Sequence, residues 1–199
     1  DVAGFLGVCF GRVITANSPT SQRKNPNNWE SVLWHEFCHV ITLQMTGNRI
    51  PRWLSEGISV YEERRRDPRC GQRMSPSFRD RILSGSVTPV RRLSSAFLEA
   101  KSGEDINFAY FESSMVVQYF VDHYGNDKLI AVLHDLNQGL QINDALERHS
   151  TELETLDTDF QSWLKAQAES FAVGVVFDPE LLDGVRDLVE FRDVHPEHY

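Results

Sequence analysis

In the stretch VLWHEFCHV, residues 32–40, two histidines stand four residues apart, with a glutamate directly after the first. On a helix, positions i and i+4 lie one above the other on the same face, so His35 and His39 can reach one ion. Neutral imidazoles suit zinc, and two of them with a third ligand and an open position make a hydrolytic centre. Glu36 lies about 100° further round such a helix. There it touches a water held by the metal without displacing it, which is the place of a general base. The competing reading is an amphipathic helix with two surface histidines. Its neighbours weigh against that: Val32, Leu33, Trp34, Phe37, Val40, Ile41 and Leu43 make the segment apolar nearly all round. A His-Glu-His set buried among them must be compensated, and a metal does so.

The third ligand decides. Sixteen residues separate His39 from Glu56, which sits in RWLSEGISVYEE. A turn at Gly47 to Arg49 folds this second helix back on the first, and Trp53, Leu54, Ile58, Val60 and Tyr61 give Glu56 apolar company. A solvent-facing glutamate is the alternative, but a second charged group placed among apolar neighbours favours the metal. Glu63 lies two helical turns beyond Glu56, on the same face. Two readings of it stand level: an acceptor for a ligand histidine's other nitrogen, or an exposed partner for Arg64 to Arg66.

The elements that must hold these residues are marked by punctuation and periodicity. Residues 3–16 are rich in β-branched and aromatic types with interspersed glycines and read as strands or a hairpin; NSPTSQRKNPNN is a polar loop. Asn27 or Asn28 caps a helix from about Trp29 to Met45, with Gly47 just past its end. Pro51 opens the second helix, which stops before Asp67-Pro68, and PSFRDRILSG is a short third. Asp105 or Asn107 is placed to cap FAYFESSMVVQYFVDHYG, a strongly apolar helix ending at Gly125. Helices in DKLIAVLHDLNQG and INDALERHS follow, then one opened by Thr151 with Glu154 in capping-box position. The fold expected is mostly α with a small N-terminal β element (α+β). A catalytic domain spans 1–175, with a sheet remnant at 3–16, metal helices at 29–66 and a helical half at 76–172. Residues 176–199 read as a helical tail, the start of a further module.

Charge narrows the partners. Lys and Arg number 20 against 29 Asp and Glu, a net charge of −9, and no basic stripe offsets it, which disfavours nucleic acid and anionic membranes. Arg64 to Arg66 read as a solvated helix end, well placed for the macrodipole. No apolar run approaches the roughly 20 residues that span a bilayer. Cys9, Cys38 and Cys70 are odd in number and widely spaced, without a CxxC pattern, and Cys38, one position before His39, faces away from the metal. The opening at Asp1 and the close at VHPEHY suggest a piece of a longer protein with other domains.

HEFCH, then WLSEG, then YEE resembles the gluzincin metallopeptidases, particularly bacterial peptidase-MA-like proteins. More distantly, it is similar to the catalytic domain of the M1 aminopeptidase and leukotriene A4 hydrolase branch. The likeness covers roughly residues 7 to 165. It implies a thermolysin-like domain lacking most of the usual sheet, a Zn2+ on His35, His39 and Glu56, and Glu36 as the base that activates the zinc-held water. It also implies a tyrosine that stabilises the developing negative charge, in a pattern like Y-x-x-small near the start of a later helix. AYFESS places that tyrosine at Tyr110, with Ser113 and Ser114 small enough to let the helix approach; in a first turn, Tyr110 would stand at the positive end of the dipole. In the M1 branch, a strand before the zinc helix carries a GxMEN motif whose glutamate holds the substrate's free amine. GVCFG, Gly7 to Gly11, takes that place, with Phe10 where the glutamate would be. Gly7, Phe10 and Gly11 are therefore expected to hold an extended peptide by backbone hydrogen bonds, without an exopeptidase anchor. The function expected is zinc-dependent endopeptidase action on a peptide or protein. The other reading is a zinc-containing module, weak or inactive in catalysis, that binds peptides within a larger protein.

Overall fold

Residues 7–18 and 28–171 are described by the computed structural model; the expected strand residues 3–6, the loop segment 19–27 and the tail 176–199 lie outside them. Strands β1 (Gly7–Phe10) and β2 (Val13–Ala16) pair antiparallel, with Phe10 opposite Val13. Their two-residue loop needs a left-handed first position, and Gly11 takes it at φ 65°. Among the described residues, α-helices α1 (Trp29–Met45), α2 (Arg52–Arg66), α3 (Pro76–Leu83), α4 (Leu93–Glu99), α5 (Gly103–Tyr124), α6 (Asn126–Asn137), α7 (Ile142–His149) and α8 (Leu153–Ser170) follow. The expected class, mostly helical with a small N-terminal sheet, is the one observed.

The helices that carry the motif residues end where the sequence punctuates them. The Asn28 side chain accepts from Ser31 N at 3.2 Å and so caps α1. Two successive left-handed residues, Gly47 at φ 56° and Asn48 at φ 61°, reverse the chain, and α2 packs back on α1. The hairpin lies against α1 as well.

Helix α5 is the hub. It packs on α2, α4 and α6, and its Tyr119 ring meets Phe160 and Trp163 of α8 at 5.8 and 5.5 Å. Phe108, Phe111 and Phe120 of α5, Trp53 and Leu54 of α2, and Phe160 and Leu164 of α8 are all buried in one cluster. The α2–α5 contact is close because Gly57 has no side chain: a Cβ there would lie 2.7 Å from the Ser113 carbonyl oxygen. Ser113 and Ser114 are fully buried opposite it, as expected of small residues that admit a neighbouring helix. The glycine of WLSEG is thus a packing residue.

Four expectations change. Helix α5 begins at Gly103 rather than after Asp105 or Asn107, because Ser102 is the cap and Asp105 completes a capping box with it. Tyr110 is therefore two turns inside the helix and away from its dipole end. Helix α8 begins at Leu153, whose amide donates to Glu147 Oε1 at 2.9 Å; α7 supplies the acceptor expected of Thr151. Helix α1 is not buried all round: Glu36, Cys38 and Thr42 are buried, while Trp29, Leu33, Phe37 and Ile41 stay 41–46% exposed, since α2 and the hairpin meet only part of its surface. Arg64 is not solvated with Arg65 and Arg66. Its guanidinium turns inward and donates to Gln72 O at 3.3 Å and Gln118 Oε1 at 3.1 Å.

Two carboxylates tie down the connection between α3 and α4. Glu112 Oε1 accepts from Thr88 N at 2.5 Å, and Asp157 Oδ1 from Val90 N at 2.9 Å. Glu112 is fully buried, and its Oε2 has no partner among the described residues. Burial pushes its carboxyl up to about 7 despite the Thr88 hydrogen bonds.

Two predictions follow from this packing. Gly57→Ala forces α2 and α5 apart and is expected to cost about 1–3 kcal/mol in urea unfolding; unchanged stability would contradict the contact. For Glu112, the unfolded chain releases its proton near pH 4.5 and the folded chain near pH 7. The folded state binds the extra proton in between, so stability falls as pH rises through that window, by on the order of 3 kcal/mol. Relative to Glu112→Gln, the wild type is expected to lose stability between about pH 5 and about pH 7.5; a constant difference between the two would rule this out.

Candidate metal centre and catalytic cleft

One face of α1 and the start of α2 bring three donor groups together. His35 and His39, one turn apart on α1, stack edge-on at 4.7 Å between ring centres. Glu56, one turn into α2, points one carboxylate oxygen at both: Oε2 lies 3.1 Å from His35 Nε2 and 3.2 Å from His39 Nε2. One donor atom from each lies within 4.8 Å of the other two. This is the grouping expected from the sequence.

The opposite edges of the imidazoles are engaged. Glu63, one of the two readings left level above, takes His35 Nδ1 with Oε1 and accepts from Ser31 Oγ at 2.8 Å with Oε2. His39 Nδ1 lies 2.8 Å from Ser55 Oγ and 3.4 Å from Ser59 Oγ, which itself donates to the His35 carbonyl at 3.2 Å. With both Nδ1 atoms occupied, both Nε2 atoms are left to face Glu56. That is how ligand histidines are oriented, and two imidazole nitrogens with one carboxylate oxygen suit a divalent transition ion.

The protonation balance agrees. Burial works against an imidazolium at His35, but the hydrogen bonds to Glu56 and Glu63 outweigh it and raise His35 to about 9. Burial likewise works against the Glu56 carboxylate, and the His35 and His39 contacts outweigh it, lowering Glu56 to about 2. A cation held beside Glu56 would take the place of that proton. Cys38 does not join the set: it is buried and pushed up to about 12 by that burial.

The donor set opens into a cavity of about 880 Å³, bounded by β1, α1, the loop around Cys70 and Tyr110 of α5. Glu36 lines it and is itself 7% exposed. Burial raises its carboxyl, the two histidines lower it, and Glu56 raises it. Strand β1 reaches Glu36 because Gly7 lacks a side chain: a Cβ there would lie 2.6 Å from Val32 Cγ1 and 3.0 Å from Glu36 Cγ. Burial also raises the Tyr110 phenol, with Glu56 adding to the effect and Arg52 opposing it.

Of the residues singled out in the sequence, His35, Glu36, His39, Glu56, Glu63, Tyr110, Gly7 and Phe10 line this one cavity. Gly11 does not; it forms the hairpin turn. Ser31, Ser55 and Ser59 are not among the residues the sequence singles out, since serines carry no periodic signal. Arg52 was missed too, although a cation in the first turn of a helix runs against the dipole and marks it as unusual.

The family model of the Peptidase MA superfamily matches residues 22–166. The chain belongs to the Peptidase MA superfamily. No curated protein and no solved structure matches it. The matched span holds the donor set, Glu36, Glu63 and Tyr110, whereas the hairpin lies before it. For a Peptidase MA chain, peptidase-type hydrolysis on peptide substrates is what membership suggests. No described helix is long and apolar enough to cross a membrane.

Titrating metal-free protein with cobalt(II) tests the donor set. Glu63→Gln is expected to weaken binding by roughly 10–100-fold, and Glu56→Ala to abolish most of it. Wild-type affinity in Glu56→Ala would show that the ion sits elsewhere.

Proposed function

We propose that this chain is a zinc-dependent endopeptidase of gluzincin type. The observation that carries the proposal is the shared approach of His35 Nε2 and His39 Nε2 to Glu56 Oε2, with Glu36 in the same cleft. His35, His39 and Glu56 would hold the zinc, which when bound supplies Lewis-acid polarisation of water and carbonyl. Glu36 takes a proton from the attacking water and returns it to the leaving amine. Its placement serves this: β1 lies close against it at Gly7, and burial keeps its basicity above that of an ordinary glutamate. Tyr110, whose phenol keeps its proton at neutral pH, donates to the carbonyl oxygen as negative charge develops there.

The cleft walls favour internal bonds over chain ends. Among the described residues the lining carboxylates are Glu36, Glu56 and Glu63; Glu56 and Glu63 are engaged by the histidines and Glu36 is the base of the reaction, so none of them is left to hold a substrate's terminal amine. Arg69, the cation among those lining residues, is held in a two-point pair with Asp67, at 3.0 and 2.8 Å, rather than waiting for a terminal carboxylate. The open backbone of β1 is suited to an extended peptide added as a strand. The more distant likeness to the M1 branch then means shared zinc chemistry without its amine anchor.

Zinc content and cleavage of an unstructured protein substrate, measured for the wild type and Glu36→Gln, test the proposal. One zinc per chain is expected in both, with turnover reduced roughly 10²–10⁴-fold in the variant. Equal turnover would sink the mechanism, and bound zinc without wild-type turnover would favour a peptide-binding module.

A further inference from the structure

Arg52 is the first residue of α2 and precedes Glu56 by one turn. Its charge at a helix N-terminus is disfavoured by the macrodipole, and the first turn of α2 holds no acidic residue to offset it. Two neighbours hold it there. Nε lies 3.6 Å from Glu56 Oε1, the oxygen turned away from the histidines, and Cζ lies 4.5 Å over the Phe97 ring. Phe97 in turn packs edge-on against Tyr110, 5.1 Å between centres. One side chain therefore touches the back of a donor carboxylate and the ring that braces Tyr110.

We infer that Arg52 is a positioning residue that holds the Tyr110 ring in the cleft through Phe97 and keeps Glu56 a donor through Oε2 alone. This rests on the function proposed above. Paired with Glu56 Oε1, the same guanidinium leaves Oε2 for the two imidazoles. Lysine, a single compact charge without the planar fork, is not equivalent at such a site. The stacking on Phe97 holds the guanidinium plane while more than half of the side chain stays exposed.

The test is a double-mutant cycle of Arg52→Met and Tyr110→Phe at saturating zinc, with Arg52→Lys as the conservative variant and Glu36→Gln as the control for the reaction itself. Arg52→Met is expected to lower kcat roughly 10–100-fold with little change in KM. In the Tyr110→Phe background the same change should cost far less, because residues coupled through Phe97 are not additive. Arg52→Lys should recover part of the loss. Independently of turnover, in metal-free protein carrying 13C at the tyrosine ζ carbon, the Tyr110 resonance should move in Arg52→Met while those of Tyr61, Tyr119 and Tyr124 stay in place. Multiplying effects in the cycle, or a Tyr110 resonance that does not move, would overturn the inference while a Glu36-dependent turnover left the proposed function standing. A wild type without turnover would remove the proposed function and leave the resonance to decide the contact.

Discussion

Glu56 stands between two imidazoles with one carboxylate oxygen 3.1 and 3.2 Å from their Nε2 atoms, and the three side chains are only 13–17% exposed. Taking a carboxylate and two imidazoles partly out of water is costly unless each polar atom finds a partner. The surrounding structure meets that demand atom by atom. Glu63, itself held by Ser31, engages one edge of His35, Ser55 and Ser59 engage the matching edge of His39, and Arg52 stands behind Glu56. The space among the two Nε2 atoms and Oε2 is where the proposed zinc would be held.

The scaffold keeps those atoms in register through two glycines. Gly57 lets α2 press onto α5 against the Ser113 backbone, which brings Tyr110 to the cleft that Glu56 faces. Gly7 lets β1 lie on α1 close against Val32 and Glu36. A side chain at either position would collide with its neighbour, so the two walls of the cleft depend on absent atoms as much as on present ones. The hub α5, with Phe108, Phe111 and Phe120 in the core, gives α2 a rigid surface to rest on.

Much of this was legible in the sequence, and the reasons are specific. The i, i+4 spacing of His35 and His39 forces a shared face once the segment is helical, and the apolar run around Glu56 made a solvent-facing reading strained. The boundaries of α1 and α2 followed from Asn28, Gly47 and Pro51. The start of α5 did not, because Ser102 and Asp105 form their capping box within KSGEDINF, ahead of the apolar run that seemed to begin the helix. Burial does not follow from composition alone: α1 is apolar nearly all round, yet tertiary contacts cover only part of it, and Arg64 sits in a basic cluster yet turns inward. Ser55, Ser59 and Arg52 escaped notice because their roles depend on contacts between elements that local pattern does not encode.

The most direct measurement of the central claim is X-ray absorption at the zinc edge on protein loaded with one equivalent of zinc. A shell of nitrogen and oxygen donors at about 2.0–2.2 Å is expected, with the multiple-scattering signature of two imidazoles and no sulfur. A sulfur shell at about 2.3 Å would put Cys9, Cys38 or Cys70 on the metal, and an all-oxygen shell would remove the histidines; either result would contradict a centre built from His35, His39 and Glu56.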